Sequence, residues 1–264
     1  MSALVGKNKS ISIIENARES LSHAVDHLVI DETNTEVANL KRSVLDVSHV
    51  VELIIKEKLN QVHPAFIWKK VDKYPSLEAE TINTVEAINR LDRICQIKLS
   101  KESIDTIKIC RRLRNKIEHF QFEMNLKKTK VVLGRMLSFI LDFSRNHLSI
   151  NFEEEFRHDE KWELLLEMYE FWEEWRIVKE RELNESDGPV AGCHVCGALT
   201  FDVINSVCVL CGNTEMEWQC DICGELFPES ELEEIEELDG DQDSQTGLLT
   251  TYFVCPNCID RDEP

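Results

Sequence analysis

Eight cysteines in four Cys-x-x-Cys pairs carry the clearest chemistry in this chain: Cys193/Cys196, Cys208/Cys211, Cys220/Cys223 and Cys255/Cys258. A two-residue spacer lets both thiolates approach one ion from a tight turn, and two such turns complete the tetrahedral four-sulfur shell that zinc prefers. Gly197, Gly212 and Gly224 each follow a second cysteine, where the turn calls for a residue without a Cβ. The pattern predicts two structural Zn2+ ions per chain. Cysteines fill both shells, so no position stays open for a catalytic metal, and His194, inside the first pair, is expected at the surface.

The second constellation is Cys110-Arg111-Arg112-Leu113-Arg114-Asn115-Lys116-Ile117-Glu118-His119-Phe120. Drawn as a helix, it gathers Cys110, Leu113, Ile117 and Phe120 on one side, which is expected to face the core. Arg114 and His119, about 140° apart, flank the opposite surface with Asn115 between them. That face offers a cation, an amide and an imidazole. Its ordinary alternative is an ion pair between Arg114 and Glu118 at four-residue spacing.

Helices must position these groups. Only Gly6 and Gly134 occur in the first 185 residues, and apolar residues recur at three- and four-residue spacing almost throughout. The expected helices are Ile11 to Val29, Thr35 to Asn60, Glu80 to Gln96, Lys101 to Phe120, Leu126 to His147 and Asp159 to Glu182. Thr33 and Glu36, with Asp31 and Asn34 nearby, supply capping chemistry before the second. Two prolines interrupt residues 61 to 76, where Phe66, Ile67 and Trp68 are expected to fold back on the bundle. Between many acids, Trp162, Leu165, Leu166, Tyr169, Trp172 and Ile177 form one apolar stripe, which reads as a closing helix or as an arm. Composition then changes at Asn184-Glu185-Ser186-Asp187-Gly188-Pro189.

Charge separates the two halves. Residues 1 to 152 hold 24 basic and 19 acidic side chains, residues 153 to 192 hold 5 and 14, and residues 193 to 264 hold 1 and 17. Residues 90 to 145 alone carry +8. A polyanion therefore belongs on the N-terminal half, and the acidic cysteine-rich half repels phosphate and suits a protein partner. Glu231 to Glu237, inserted between the last two pairs, reads as a solvated acidic loop or a short docking helix. No segment is apolar enough to span a bilayer, so no membrane partner is expected. Met1 to Lys7 lacks a basic start and a long apolar stretch, which points to a reducing cytoplasm where ten cysteines are not disulfides. The chain has no phosphate-cradling glycine loop and no nucleophile elbow.

The cysteine pairs, taken in sequence, resemble tandem zinc ribbons; an interleaved pairing, as in a RING finger, stays open and would point to a ubiquitin-ligase-like adaptor. Arg114-Asn115-Lys116-Ile117-Glu118-His119 resembles the signature of the HEPN superfamily. Leu40 to Leu45 running into His49 to Lys56, and His63 to Trp68 after it, are similar to the earlier long helix and its connection in bacterial members. The resemblance covers about residues 10 to 150. It implies a metal-independent endoribonuclease, acting as a homodimer, possible in defence or toxin-type settings. His119 would move the proton between the ribose 2′-hydroxyl and the departing 5′-oxygen. Arg114 would hold the scissile phosphate and Asn115 would orient it. The other reading is a non-catalytic adaptor that binds RNA or protein.

Smaller signals complete the set. His49 and Glu52 either support that site or pair with neighbours, Cys95 and Cys110 fall in apolar stripes as core thiols, and His23 with His27 lacks a third metal ligand. The expected fold class is mainly α: an HEPN-like helical bundle over residues 1–152, a charged helix and linker over 153–188, and a small zinc-stabilised module with short β-hairpins over 189–264.

Overall fold

The computed structural model describes residues 10–29, 36–157, 159–186, 188–239 and 248–259. The fold is mainly α with a small β-containing module holding two four-cysteine groups. The chain divides into two compact units, residues 1–178 and 179–264. The readings of Met1 to Lys7 and of the Thr33 cap fall outside the described residues.

The first unit is built on an antiparallel hairpin of α1 (Ile13–Val29) and α2 (Glu36–Val62). Ala17, Leu21, Ala24 and Val25 form the buried stripe of α1. On α2 the run Leu40, Val44, Val47, Val50, Val51, Ile54, Ile55 and Leu59 is buried, because α3 (Thr84–Cys95), α4 (Lys101–His119) and α5 (Leu126–Phe143) pack on it as well. A helix covered on several sides buries more than one stripe. Asn83 and Glu86 close a capping box that starts α3, Ser100 caps α4, and Asn125 caps α5. α5 continues as a π-helical turn, Ser144–Leu148, stopped by Ser149 in the left-handed region at φ 59°.

The proline-containing connection folds back as expected. Ala65 and Ile67 are buried, and Arg90 staples the loop by donating to the carbonyls of Phe66, Trp68 and Lys69 at 2.6, 2.8 and 3.2 Å.

The acidic aromatic segment differs from the single stripe expected. It forms α6 (Phe152–Arg157), α7 (Glu160–Glu167) and α8 (Tyr169–Glu185), with Met168 at ψ 101° breaking the last two apart. The break resets the helical phase. Trp162, Leu165, Phe171 and Trp175 are among its buried residues, whereas Tyr169 and Ile177 are exposed. Arg18 bonds Glu155, Lys161 pairs with Asp26, and Arg135 donates to Glu174 at 2.8 Å, so the segment closes the bundle and is not a free arm.

α5 and the start of α8 approach so closely that a Cβ at Gly134 would collide with the backbone carbonyl of Glu170. Alanine would add about 1 kcal/mol of helix propensity, but the obstacle is backbone rather than the end of a flexible side chain, which puts the overpacking cost toward about 3 kcal/mol. Gly134→Ala should therefore lower the denaturant midpoint of unfolding; an unchanged or raised midpoint would contradict this packing.

In the second unit β1 (Val190–Ala191), β2 (Phe201–Asp202) and β3 (Val207–Cys208) form an antiparallel sheet. β4 (Glu217–Gln219) pairs with β5 (Leu226–Pro228), and β6 (Glu233–Asp239) with β7 (Leu248–Val254). The acidic insertion is thus a strand, neither helix nor loop. Its apolar residues recur every three positions, but a β-branched and aromatic partner in β7 decides the outcome: Leu232 and Ile235 pack against Cys220, Val254, Cys255 and Cys258. α9 (Pro256–Ile259) begins directly after Cys255 and carries Cys258.

Candidate metal centres and the Arg114 face

The eight paired cysteines gather as Cys193, Cys196, Cys208 and Cys211, and as Cys220, Cys223, Cys255 and Cys258, with the sulfurs of each group within 4.8 Å of one another. The pairing is sequential. The interleaved arrangement, and the ligase-like adaptor it would suggest, is set aside. A tetrahedron of Zn–S bonds of about 2.3 Å has sulfur–sulfur edges of about 3.8 Å. The measured separations are 3.6 Å for Cys193–Cys211, 3.7 Å for Cys196–Cys208 and 3.8 Å for Cys223–Cys255. They match a metal shell and are far too long for disulfides.

Local backbone makes these shells. In three of the pairs the glycine after the second cysteine sits at φ 72°, 84° or 74°. Its N–H donates to the carbonyl of the first cysteine at 2.8 Å in each. The fourth pair has no glycine and uses α9, where the Cys258 N–H donates to the Cys255 carbonyl at 2.9 Å. Outer contacts hold the sulfurs: Thr200 Oγ1 lies 3.2 Å from Cys208 Sγ, and the Cys255 N–H donates to Cys220 Sγ at 3.4 Å. The close contacts among these sulfurs push their thiols apart, Cys208 down and Cys196 and Cys211 up. His194 is half-buried and belongs to neither group. Either group fits a four-coordinate ion with no position left for substrate.

The polar face of α4 is built differently. Ser100 starts the helix and Phe120 ends it at φ −136°. Cys110 is buried, and burial pushes its thiol up to about 12. Leu113 and Ile117 are half-buried, but Phe120 is 68% exposed, so the apolar face does not extend to it as expected: the residue lies beyond the helical turns and points off their face. Cys95 is likewise half-buried, not a core thiol.

Arg114 does not stand free. Its Nε donates to Glu118 Oε1 at 3.3 Å, and its Nη1 lies 3.9 Å from Glu52 Oε2 on α2. Glu118 Oε2 also lies 4.0 Å from His119 Nε2. The other oxygen of Glu52 accepts from Lys56 Nζ at 2.6 Å, and Lys56 donates to Thr81 Oγ1 at 3.0 Å. Asn115 and His119 are exposed. The six side chains thus run Thr81, Lys56, Glu52, Arg114, Glu118, His119, with Asn115 beside them. Glu52 pairs with a neighbour, as one sequence reading held, and the same carboxylate faces Arg114. Its link to Arg114 spans 62 positions and has no short-range signal.

The structure also brings Asp46 and His49 of α2 within electrostatic reach of His23 and His27, near a hairpin contact where Ser43 Oγ donates to the Ala24 carbonyl. Burial raises the Asp46 carboxyl above its ordinary value. These donors are not drawn together: among the described residues only the two cysteine groups form candidate metal centres of three or more ligands. No helix among the described residues is long and apolar enough to cross a membrane.

A scan against protein-family models finds no match, and searches of the curated proteins and of the solved structures find none either.

Metal analysis of the purified chain should give two equivalents of divalent ion, falling to about one in Cys208→Ser and in Cys255→Ser separately. Two equivalents retained by either variant would contradict the grouping.

Proposed function

We propose that the chain is a metal-independent endoribonuclease of the HEPN type, whose helical unit cuts RNA and whose zinc module targets or regulates it. The observation that carries this reading is the face on the last turns of α4 that sets a half-buried Arg114 beside exposed Asn115 and His119, in the stretch of residues 90 to 145 where the chain is +8. His119 takes the proton of a ribose 2′-hydroxyl, the 2′-oxygen attacks phosphorus, and the bond to the 5′-oxygen breaks as that oxygen is protonated. Arg114 binds the non-bridging oxygens as negative charge grows on them, with Asn115 donating a hydrogen bond. The products are a 2′,3′-cyclic phosphate and a 5′-hydroxyl.

One histidine per chain supplies one of the two proton-transfer groups, so the active form is a symmetric homodimer in which a second His119 completes the pair. We read the two ions as Zn2+, the donor set being all thiolate, and free thiol ligands suit a reducing cytoplasm. A defence or toxin-type role fits such an activity. With 17 acidic and one basic side chain over residues 193–264, the zinc module binds a protein partner and not RNA.

A second reading has its own support. Arg114 already faces two carboxylates, which suits an interaction module that retains the signature without cleaving. The readings separate in one assay: labelled RNA incubated with the full chain in EDTA, beside His119→Ala and Arg114→Ala. Each variant should lose at least about 100-fold in rate. Equal cleavage by all three removes the proposed site, and no cleavage of single-stranded RNA by the wild type favours the adaptor.

A further inference from the structure

Arg114 is the signature residue that would hold phosphate, yet in the free chain acids lie on both sides of its guanidinium. Glu118, four residues on along α4, accepts from its Nε at 3.3 Å, and Glu52 of α2 faces its Nη1 at 3.9 Å. The two carboxylates are not equivalent. Glu52 is anchored, because one of its oxygens accepts from Lys56 at 2.6 Å and the Lys56 side chain is only 10% exposed. A lysine so far removed from water does not give up its counter-ion cheaply. Glu118 has no such anchor: its other neighbour is the imidazole of His119, 4.0 Å away and 67% exposed. A phosphate arriving from solvent meets a fixed carboxylate on one side of Arg114 and a movable one on the other.

We propose that Glu118 is a gate on Arg114. In the free protein it occupies the guanidinium that phosphate needs, and an RNA phosphate displaces it. Glu52 stays in place and keeps Arg114 aimed. The released Glu118 carboxylate stays beside the His119 imidazole, which already lies 4.0 Å from it. No covalent bond changes. The gate rests on the reading of Arg114 as a phosphate-binding group and adds to it a positioning residue that opposes binding until substrate arrives.

The prediction has an unusual sign, since removing a residue inside the signature strengthens binding. The probe is a single-stranded 2′-O-methyl RNA, which has no hydroxyl to attack and reports binding alone. Its affinity is measured for four full-length forms at low salt: wild type, Glu118→Gln, Arg114→Ala, and the double variant. Glu118→Gln replaces an exposed carboxylate by an isosteric amide, so the fold is not at stake. It should tighten binding about 3- to 10-fold, the range set by freeing one surface ion pair and one phosphate contact. In the Arg114→Ala background the same change should give no gain. Equal tightening in both backgrounds is a bulk charge effect and overturns the gate while leaving the RNA reading intact. No tightening in either background overturns the gate as well. No binding by any of the four forms overturns the RNA reading and the gate with it.

Discussion

A lysine nine-tenths out of water sets the rest of the Arg114 face. Lys56 lies on α2 beneath the residue 63–82 connection, and its ammonium needs an anionic partner and a hydrogen-bond acceptor at once. Glu52 and Thr81 supply them at 2.6 and 3.0 Å. Satisfying Lys56 fixes the Glu52 carboxylate one turn away, and the second oxygen of that carboxylate is what Arg114 meets from α4. The position of a half-buried guanidinium is therefore set by the packing of α2, the helix on which α1, α3, α4 and α5 all pack. Glu118 and His119 are placed only by the helix that carries them.

The second unit depends on a different constraint, the mutual repulsion and close packing of sulfur. Four thiols spaced 3.6 to 3.8 Å apart are stable as thiolates only around a cation, and the strands here are two to seven residues long. The apolar cluster around Cys220, Val254, Cys255 and Cys258 is built from the ligands themselves. An ion held by each group would make metal binding and folding of this unit one process. Its acidity, increased by about two negative charges per filled four-thiolate site, separates its chemistry from that of the basic stretch on the helices.

Much of this was legible in the sequence, and the failures share a cause. Helix positions in the bundle followed from apolar spacing, and cysteine spacing with its glycines led to the two groups, because both signals are local. Apolar spacing alone starts α3 at Glu80, whereas the Asn83 and Glu86 capping box starts it at Thr84. The stripe through Trp162 and Ile177 failed because a single wheel assumes one uninterrupted helix, and Met168 interrupts it. Phe120 failed because the helix stops one residue earlier. The acidic insertion took the conformation its distant partner β7 imposed. Glu52 as a neighbour of Arg114, and Asp46 as a neighbour of His23 and His27, arise from helix packing, and no window along the chain contains them.

The proposed reaction is attack of RNA's own 2′-hydroxyl, assisted by Arg114 and His119, without an ion at the reacting atoms. Mass spectrometry of the fragment ends tests it most directly. RNA cut by the full chain in EDTA should carry 2′,3′-cyclic phosphates and 5′-hydroxyls, and His119→Ala should produce neither. Fragments ending in 3′-hydroxyls and 5′-phosphates, or cyclic ends formed equally well without His119, would contradict the account.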